Sequence, residues 1–328
     1  MLNKEIALAA ALAAVSVSAM AQGSVQLYGR MNTTMEHQKL GDQTVTGMFN
    51  NASRIGFRGV EDLGQGLKAG FVMEGGFSSD TGAGANDTGL SFNRESELFL
   101  ESNLGKLRLG KFSYESSMQT ADMVSMHNHD TGSSADALYS YDTLRTGNQI
   151  GYRTPVFANT WVEVAHGFHE KQAGAKNVWD LAVSHQAANY SIGAGFTDHG
   201  DNRQYALRAT YMLDQLTLGA YVQRVEMNKR TAIAEKWNNY RVAAAYALGA
   251  SELHANVGYA DRDDSKSALQ WTLGVNHNLS KRTKVYALYT KVDNRAQGTY
   301  GYRINSNLDA ASAGQDFSSF AVGVRHNF

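Results

Sequence analysis

Cysteine is absent from this chain of 328 residues, and proline occurs once. Without cysteine there is neither a disulfide framework nor a thiolate set for structural zinc. With almost no proline, nothing breaks a strand ladder, because proline cannot donate the N–H that a paired strand needs. An excess of charge is missing too. The formal net charge is −1, and no basic stripe interleaved with aromatics stands out, so nucleic acid is not an expected partner. Beyond the first 21 residues no apolar run approaches the ~20 residues of a spanning helix. A mean hydropathy of −0.38 is too polar for a helical membrane protein. What is plentiful is glycine (32), tyrosine (16) and phenylalanine (13), the residues of tight turns and of β-ribbons with aromatic belts.

The single apolar run stands at the start of the chain. Lys4 is a short basic n-region, residues 6–17 form an Ala-rich h-region, and Ala19-Met20-Ala21 has the small-x-small pattern of a cleavage site. Residues 1–21 therefore read as a signal peptide, and residues 22–328 as one exported domain beginning at Gln22. The run is too short for the alternative, a membrane anchor.

From Ser24 onward the pattern has period 2. Val25, Leu27, Gly29 and Met31 alternate with Gln26, Tyr28, Arg30 and Asn32. Ile55 and Phe57 oppose Arg54 and Arg58; Phe71 and Met73 oppose Lys68 and Glu74. Tyr190, Ile192 and Phe196 oppose Ser191, Gly193 and Gly195, and near the end Phe320, Val322, Val324 and Phe328 share one face. Very short connections, such as Gly64-Gln65-Gly66 and Asp214-Gln215, alternate with long polar ones at residues 38–52, 78–92, 116–146 and 296–316. A soluble sandwich or propeller predicts no such asymmetry. Nor could its core bury the charges that recur on the polar face of strand after strand. The expected fold is all-β: a transmembrane antiparallel barrel of about sixteen strands, an even number with short turns at one end and long loops at the other.

Several stretches resemble one family, the Gram-negative general porins of the β-proteobacterial type. They are Ser24-Val25-Gln26-Leu27-Tyr28-Gly29, the long run from Asn51-Ala52-Ser53-Arg54-Ile55-Gly56-Phe57-Arg58 to Lys68-Ala69, Arg145-Thr146-Gly147-Asn148-Gln149-Ile150-Gly151-Tyr152-Arg153-Thr154-Pro155, Ser280-Lys281-Arg282-Thr283, and the terminal Gly323-Val324-Arg325-His326-Asn327-Phe328. The resemblance implies sixteen strands, a third outer loop folded into the pore, and a homotrimer in a Gram-negative outer membrane. It also implies passive diffusion of ions and small hydrophilic solutes, with no enzymatic activity and no cofactor. The implied partners are outer-membrane lipids, lipopolysaccharide and the barrel assembly machinery, with Phe328 as the assembly signal. The chain departs from the family at residues 116–146, which lack a Pro-Glu-Phe-Gly-like element.

A channel of this kind sorts solutes at a charged constriction, where a narrow low-dielectric bore focuses the field of opposed charges. The expected positive row is Arg30, Arg54, Arg58 and Lys68 on the first strands, joined by Arg108, with Arg145 and Arg153 at the edges. The third loop supplies Asp122, Asp130 and Asp136, with Glu115 and Asp142 beside them, while Glu74 ties to a neighbouring arginine. Solvated lumen charges are the plainer reading of each residue taken singly. His127-Asn128-His129-Asp130 reads as a solvated loop rather than a metal site. Trp161, Trp179, Trp237 and Trp271 read as an interfacial girdle rather than a ligand-stacking track. The competing functions are a substrate-selective porin, a barrel enzyme and a surface structural protein. No motif gathers the Ser, His and Asp that a barrel enzyme requires.

Overall fold

The computed structural model describes residues 24–84, 89–125, 136–140, 145–171, 174, 176–228, 235–262, 265–300 and 312–328. Among these described residues seventeen strands make one antiparallel sheet. They are β1 (Ser24–Leu40), β2 (Gln43–Asn50), β3 (Arg54–Gly64), β4 (Leu67–Gly76), β5 (Glu95–Ser102), β6 (Gly105–Ser113), β7 (Arg145–Arg153), β8 (Thr160–Gly167), β9 (Val178–Gln186), β10 (Tyr190–His199), β11 (Asn202–Leu213), β12 (Leu216–Met227), β13 (Glu235–Leu248), β14 (Ser251–Arg262), β15 (Ala268–Asn278), β16 (Thr283–Asn294) and β17 (Phe317–Asn327). From β3 onward each strand pairs with the next, and β17 returns to pair with β1, so the sheet closes on itself.

Seventeen strands give sixteen staves because β2 and β3 share one. The upper half of β1 pairs with β2 (Thr33 opposite Asn50) and the lower half with β3 (Arg30 opposite Arg54). The registers differ by one residue, so a bulge separates the two strands, with Ala52 at φ +57°. The extra residue reverses the side-chain alternation. Arg54 faces the same side as Arg30, while on β2 it is Phe49 that points in and Met48 that points out. Residues 38–52 are accordingly not the long loop the sequence suggests. They are a hairpin turning at Gly41-Asp42, where Gly41 takes φ +57°. The sequence hides it because threonine and glutamine on both sides of the turn look like loop residues.

The two faces of the wall are those of a membrane barrel. Leu98 (64 % exposed), Val242 (60 %), Leu207 and Leu273 point outward, whereas Asn32, Gln223, Asn239 and Gln270 are buried inside. This inverts the soluble pattern and suits lipid outside and water within. At the seam a polar chain runs along the inner face. The Thr34 and Gln38 side chains donate to Glu36 at 2.6 and 2.8 Å, and Ser319 of β17 donates to the same carboxylate at 3.0 Å. The Phe328 N–H donates to Gly29 O and the Gly29 N–H to Phe328 O, both at 3.1 Å. A side chain at Gly29 would collide with the Phe328 ring, so this glycine is the seat on which the last residue closes the barrel.

Candidate pore constriction

The long connection after β6 does not stand clear of the wall. It enters a short helix α1 (Glu115–Ser117) that continues as a π-helical turn, Met118–Asp122. Its back is fixed to the inner faces of β9, β10 and β11. The Ser116 N–H donates to Asp180 Oδ1 at 3.1 Å, and its hydroxyl bonds both Asp180 and Thr197. Arg208 Nε donates to the Gln119 carbonyl at 2.8 Å. Gly193 and Gly195 on β10 make the approach possible, since a Cβ at Gly195 would lie 2.6 Å from Ser116 O. Further on, residues 136–140 dock on the same wall. The Ala137 N–H donates to Gln270 and the Ser140 N–H to Gln223, each at 2.9 Å. Asp136 meets Arg241 Nη1 at 2.7 Å and accepts a bond from the Tyr221 hydroxyl. Burial alone would push the Asp136 carboxyl up, but Arg241 and Tyr221 outweigh it and hold it below the usual carboxylate range.

The front of α1 faces the opposite wall across an open recess of about 350 Å³. Arg54, Glu74 and Glu95 line it from β3–β5, Arg94 from the residue before β5, Arg108 and Arg153 from β6 and β7, and Glu115 and Asp122 from α1 and its extension. Glu74 lies 2.5 Å from Arg94 Nε and 3.9 Å from Arg54 Nε. Arg108 is locked: Nη2 donates to Glu97 at 2.6 Å and Nη1 to Glu163 at 3.0 Å. Arg153 donates to Glu163 at 2.7 Å and to Glu115 at 2.5 Å, with its guanidinium 4.2 Å above the Trp161 ring. Each locked arginine has carboxylates on two sides, as burial of a charge demands.

The expected site residues thus divide. Arg54, Glu74, Arg108 and Asp122 meet at the recess, and Arg30 stands opposite Arg54 in register. Arg58 shares their face about four residues down β3 and is held by Gln26 at 2.8 Å. Lys68 shares the face too, but it pairs with Asp62 at the short-turn end. Eight residues separate Asp62 from Arg54, roughly 26 Å of strand, so the four cations do not form one patch. Asp136 is on the far wall against Arg241, not facing the first-strand arginines. Asp130, Asp142 and the His127–His129 pair lie outside the described residues, as does the side chain of Arg145. Arg94, Glu95, Glu97 and Glu163 are not among the residues the sequence singles out. The last two sit on the polar parity of β5 and β8, a signal by which they could be found. The tryptophans divide as well. Trp179 and Trp271 face outward, while Trp161 and Trp237 point inward under Arg153 and Arg262.

Comparison with known proteins agrees with this architecture. A family profile described as Gram-negative porin matches residues 7–297. Outer membrane porin protein 32 of Delftia acidovorans is 31 % identical, over 99 % of this chain and 100 % of its own. The solved anion-selective porin from Comamonas acidovorans superposes with a TM-score of 0.80 at 26 % identity, covering 93 % of this chain and 100 % of that one. The trimer form of OmpT, an outer membrane protein of Vibrio cholerae, shares the fold with a TM-score of 0.69 at 18 % identity, covering 93 % and 99 %. A closed barrel with a polar interior, matched along its length by channels of the outer membrane, is a passive diffusion pore and not an enzyme. The chain belongs to the Gram-negative porin family.

Proposed function

We propose that the recess between α1 and the β3–β7 wall is the constriction of this diffusion channel, and that it favours anions. The observation that carries the reading is the position of α1, fixed at its back to β9–β11 while in front Glu115 pairs with Arg153 and, with Asp122, lines one recess with Arg54 and Arg94. Opposed charges across a narrow water path set up a transverse field. The recess itself carries four arginines and four carboxylates, so the sign comes from what adjoins it. Arg30 stands beside Arg54, and Arg325 of β17 lies opposite Asn32, next along β1. The likeness to a porin named as anion-selective supports the same sign. In planar bilayers under a potassium chloride gradient, the reversal potential should report an anion preference. Arg30→Glu with Arg54→Glu should move it towards cations, most strongly at low salt, where the ~10 Å Debye length at 0.1 M lengthens further. A reversal potential that the double variant leaves in place rejects the assignment.

Assembly belongs to the same proposal. The working unit is a homotrimer of chains that begin at Gln22 after loss of residues 1–21, seated among outer-membrane lipids and lipopolysaccharide. Phe328, which closes the seam on Gly29, is the signal read by the assembly machinery. Native mass measurement of protein from outer membranes should give three mature chains, and deletion of Phe328 should empty that fraction. A monomer, a retained leader or normal yield of the truncated form contradicts the corresponding part.

A further inference from the structure

The cations that adjoin the constriction continue along the inner wall towards the periplasmic turns. Lys284 is the second residue of β16, near the periplasmic turns, and faces the bore directly opposite Arg325 of β17. Arg325 in turn lies opposite Asn32 of β1, two residues from Arg30, whose Nε donates to Asn327 at 3.1 Å. Three cationic side chains therefore share one face of three adjacent strands, which lie ~4.8 Å apart. Like charges directly opposite each other on a sheet are destabilising. Lys284 is moreover only 8 % exposed, and no described carboxylate lies within ion-pair distance of it. The acids on the neighbouring inner faces do not contact it: Glu252 of β14, held by His254 Nε2 at 2.9 Å, attracts Lys284 from a distance and less than Arg325 repels it, and Glu36 of β1 accepts from Thr34, Gln38 and Ser319. A desolvated ammonium beside two guanidinium groups, with no described carboxylate in contact with it, favours an anion drawn from the bore.

We propose that Lys284, Arg325 and Arg30 form an oxyanion-binding station on the periplasmic side of the constriction, with the chemistry of inorganic phosphate. Guanidinium forks match the edge of a tetrahedral oxyanion bidentately, and the ammonium adds a compact charge. A second negative charge on the ion gains from every one of the three groups, so phosphate dianion should displace chloride. The inference rests on the anion preference proposed above, with which it shares Arg30 and Arg325, and adds Lys284 to it.

The test uses the full barrel in planar bilayers at low salt, with inorganic phosphate titrated into the periplasmic side while chloride current is recorded. Wild type should show a saturable fall in current. Loss of one charged hydrogen-bond partner should raise the half-blocking concentration about tenfold or more in Lys284→Gln and in Arg325→Gln. Lys284→Arg, which keeps the charge, should stay close to wild type. Single-channel chloride steps in each variant establish that the barrel has formed. A strictly linear fall in wild type, or an unchanged half-blocking concentration in Lys284→Gln, overturns the station. Lys284 belongs to the station alone, so an unchanged half-blocking concentration in Lys284→Gln beside a wild-type anion preference rejects the station and keeps the selectivity reading, whereas loss of the anion preference in wild type rejects the selectivity reading.

Discussion

Asp136 is a carboxylate held deep in the bore by Arg241, Tyr221 and the backbone N–H groups of Leu138 and Tyr139, at 2.9 and 3.0 Å. Removing its charge leaves Arg241 buried without its carboxylate, a loss of about 3–5 kcal/mol for a broken buried pair. Asp136→Asn should therefore release residues 137–140 from the wall while the strands stay intact. Hydrogen exchange reads this directly: those amides should exchange at least ~100-fold faster, with strand amides unchanged. Equal protection in the variant would show that the apolar packing of Leu138 and Tyr139 holds the segment alone. The pH dependence follows from the lowered carboxyl. A group that titrates lower in the docked state favours docking above the usual carboxylate value of about 3.9 and loses that advantage as pH falls through its own lower value. Protection should thus persist from pH 8 to about 5. This residue also marks a limit of the sequence. Asp136 is recognisable as a loop acid, but its partner lies on β13, and nothing local to either residue records that pairing.

At the scale of elements, local alternation carries most of the information. The outward stripes of β1, β10 and β17 are legible in the amino-acid sequence alone, because lipid on one face and water on the other impose strict period 2. The failures fall where that period is broken. The bulge at Ala52 reverses parity between β2 and β3, so a hairpin passes for a loop. Trp161 and Trp237 look like girdle residues because tryptophan usually is one, although their parity places them inside. The seat of α1 is hidden for a different reason. Gly193 and Gly195 are visible on the polar face of β10, but an absent side chain does not say what occupies its place. Filling that place should dislodge the constriction. Gly195→Val puts methyl groups where Ser116 now sits, a strain of about 1–3 kcal/mol for overpacking, and α1 can yield more easily than a paired strand. Single-channel conductance should rise in this variant, with the heat-modifiable barrel retained. Conductance equal to wild type would mean that α1 does not narrow the water path.

The whole molecule is a closed wall whose exterior meets lipid and whose interior carries charge around water. Sixteen staves leave room for such a bore, and α1 divides it without filling it. That claim can be tested with the residue type the chain lacks. Because there is no cysteine, a single introduced thiol is the only target for a charged, water-soluble methanethiosulfonate reagent. Met118 lines the recess, and Leu98 projects from the outer face. In bilayers, the reagent should cut the open-channel current of Met118→Cys in discrete steps and leave Leu98→Cys unaffected. A Met118→Cys channel whose current is untouched, or a Leu98→Cys channel that is blocked, would contradict a water-filled path running between α1 and the arginine wall.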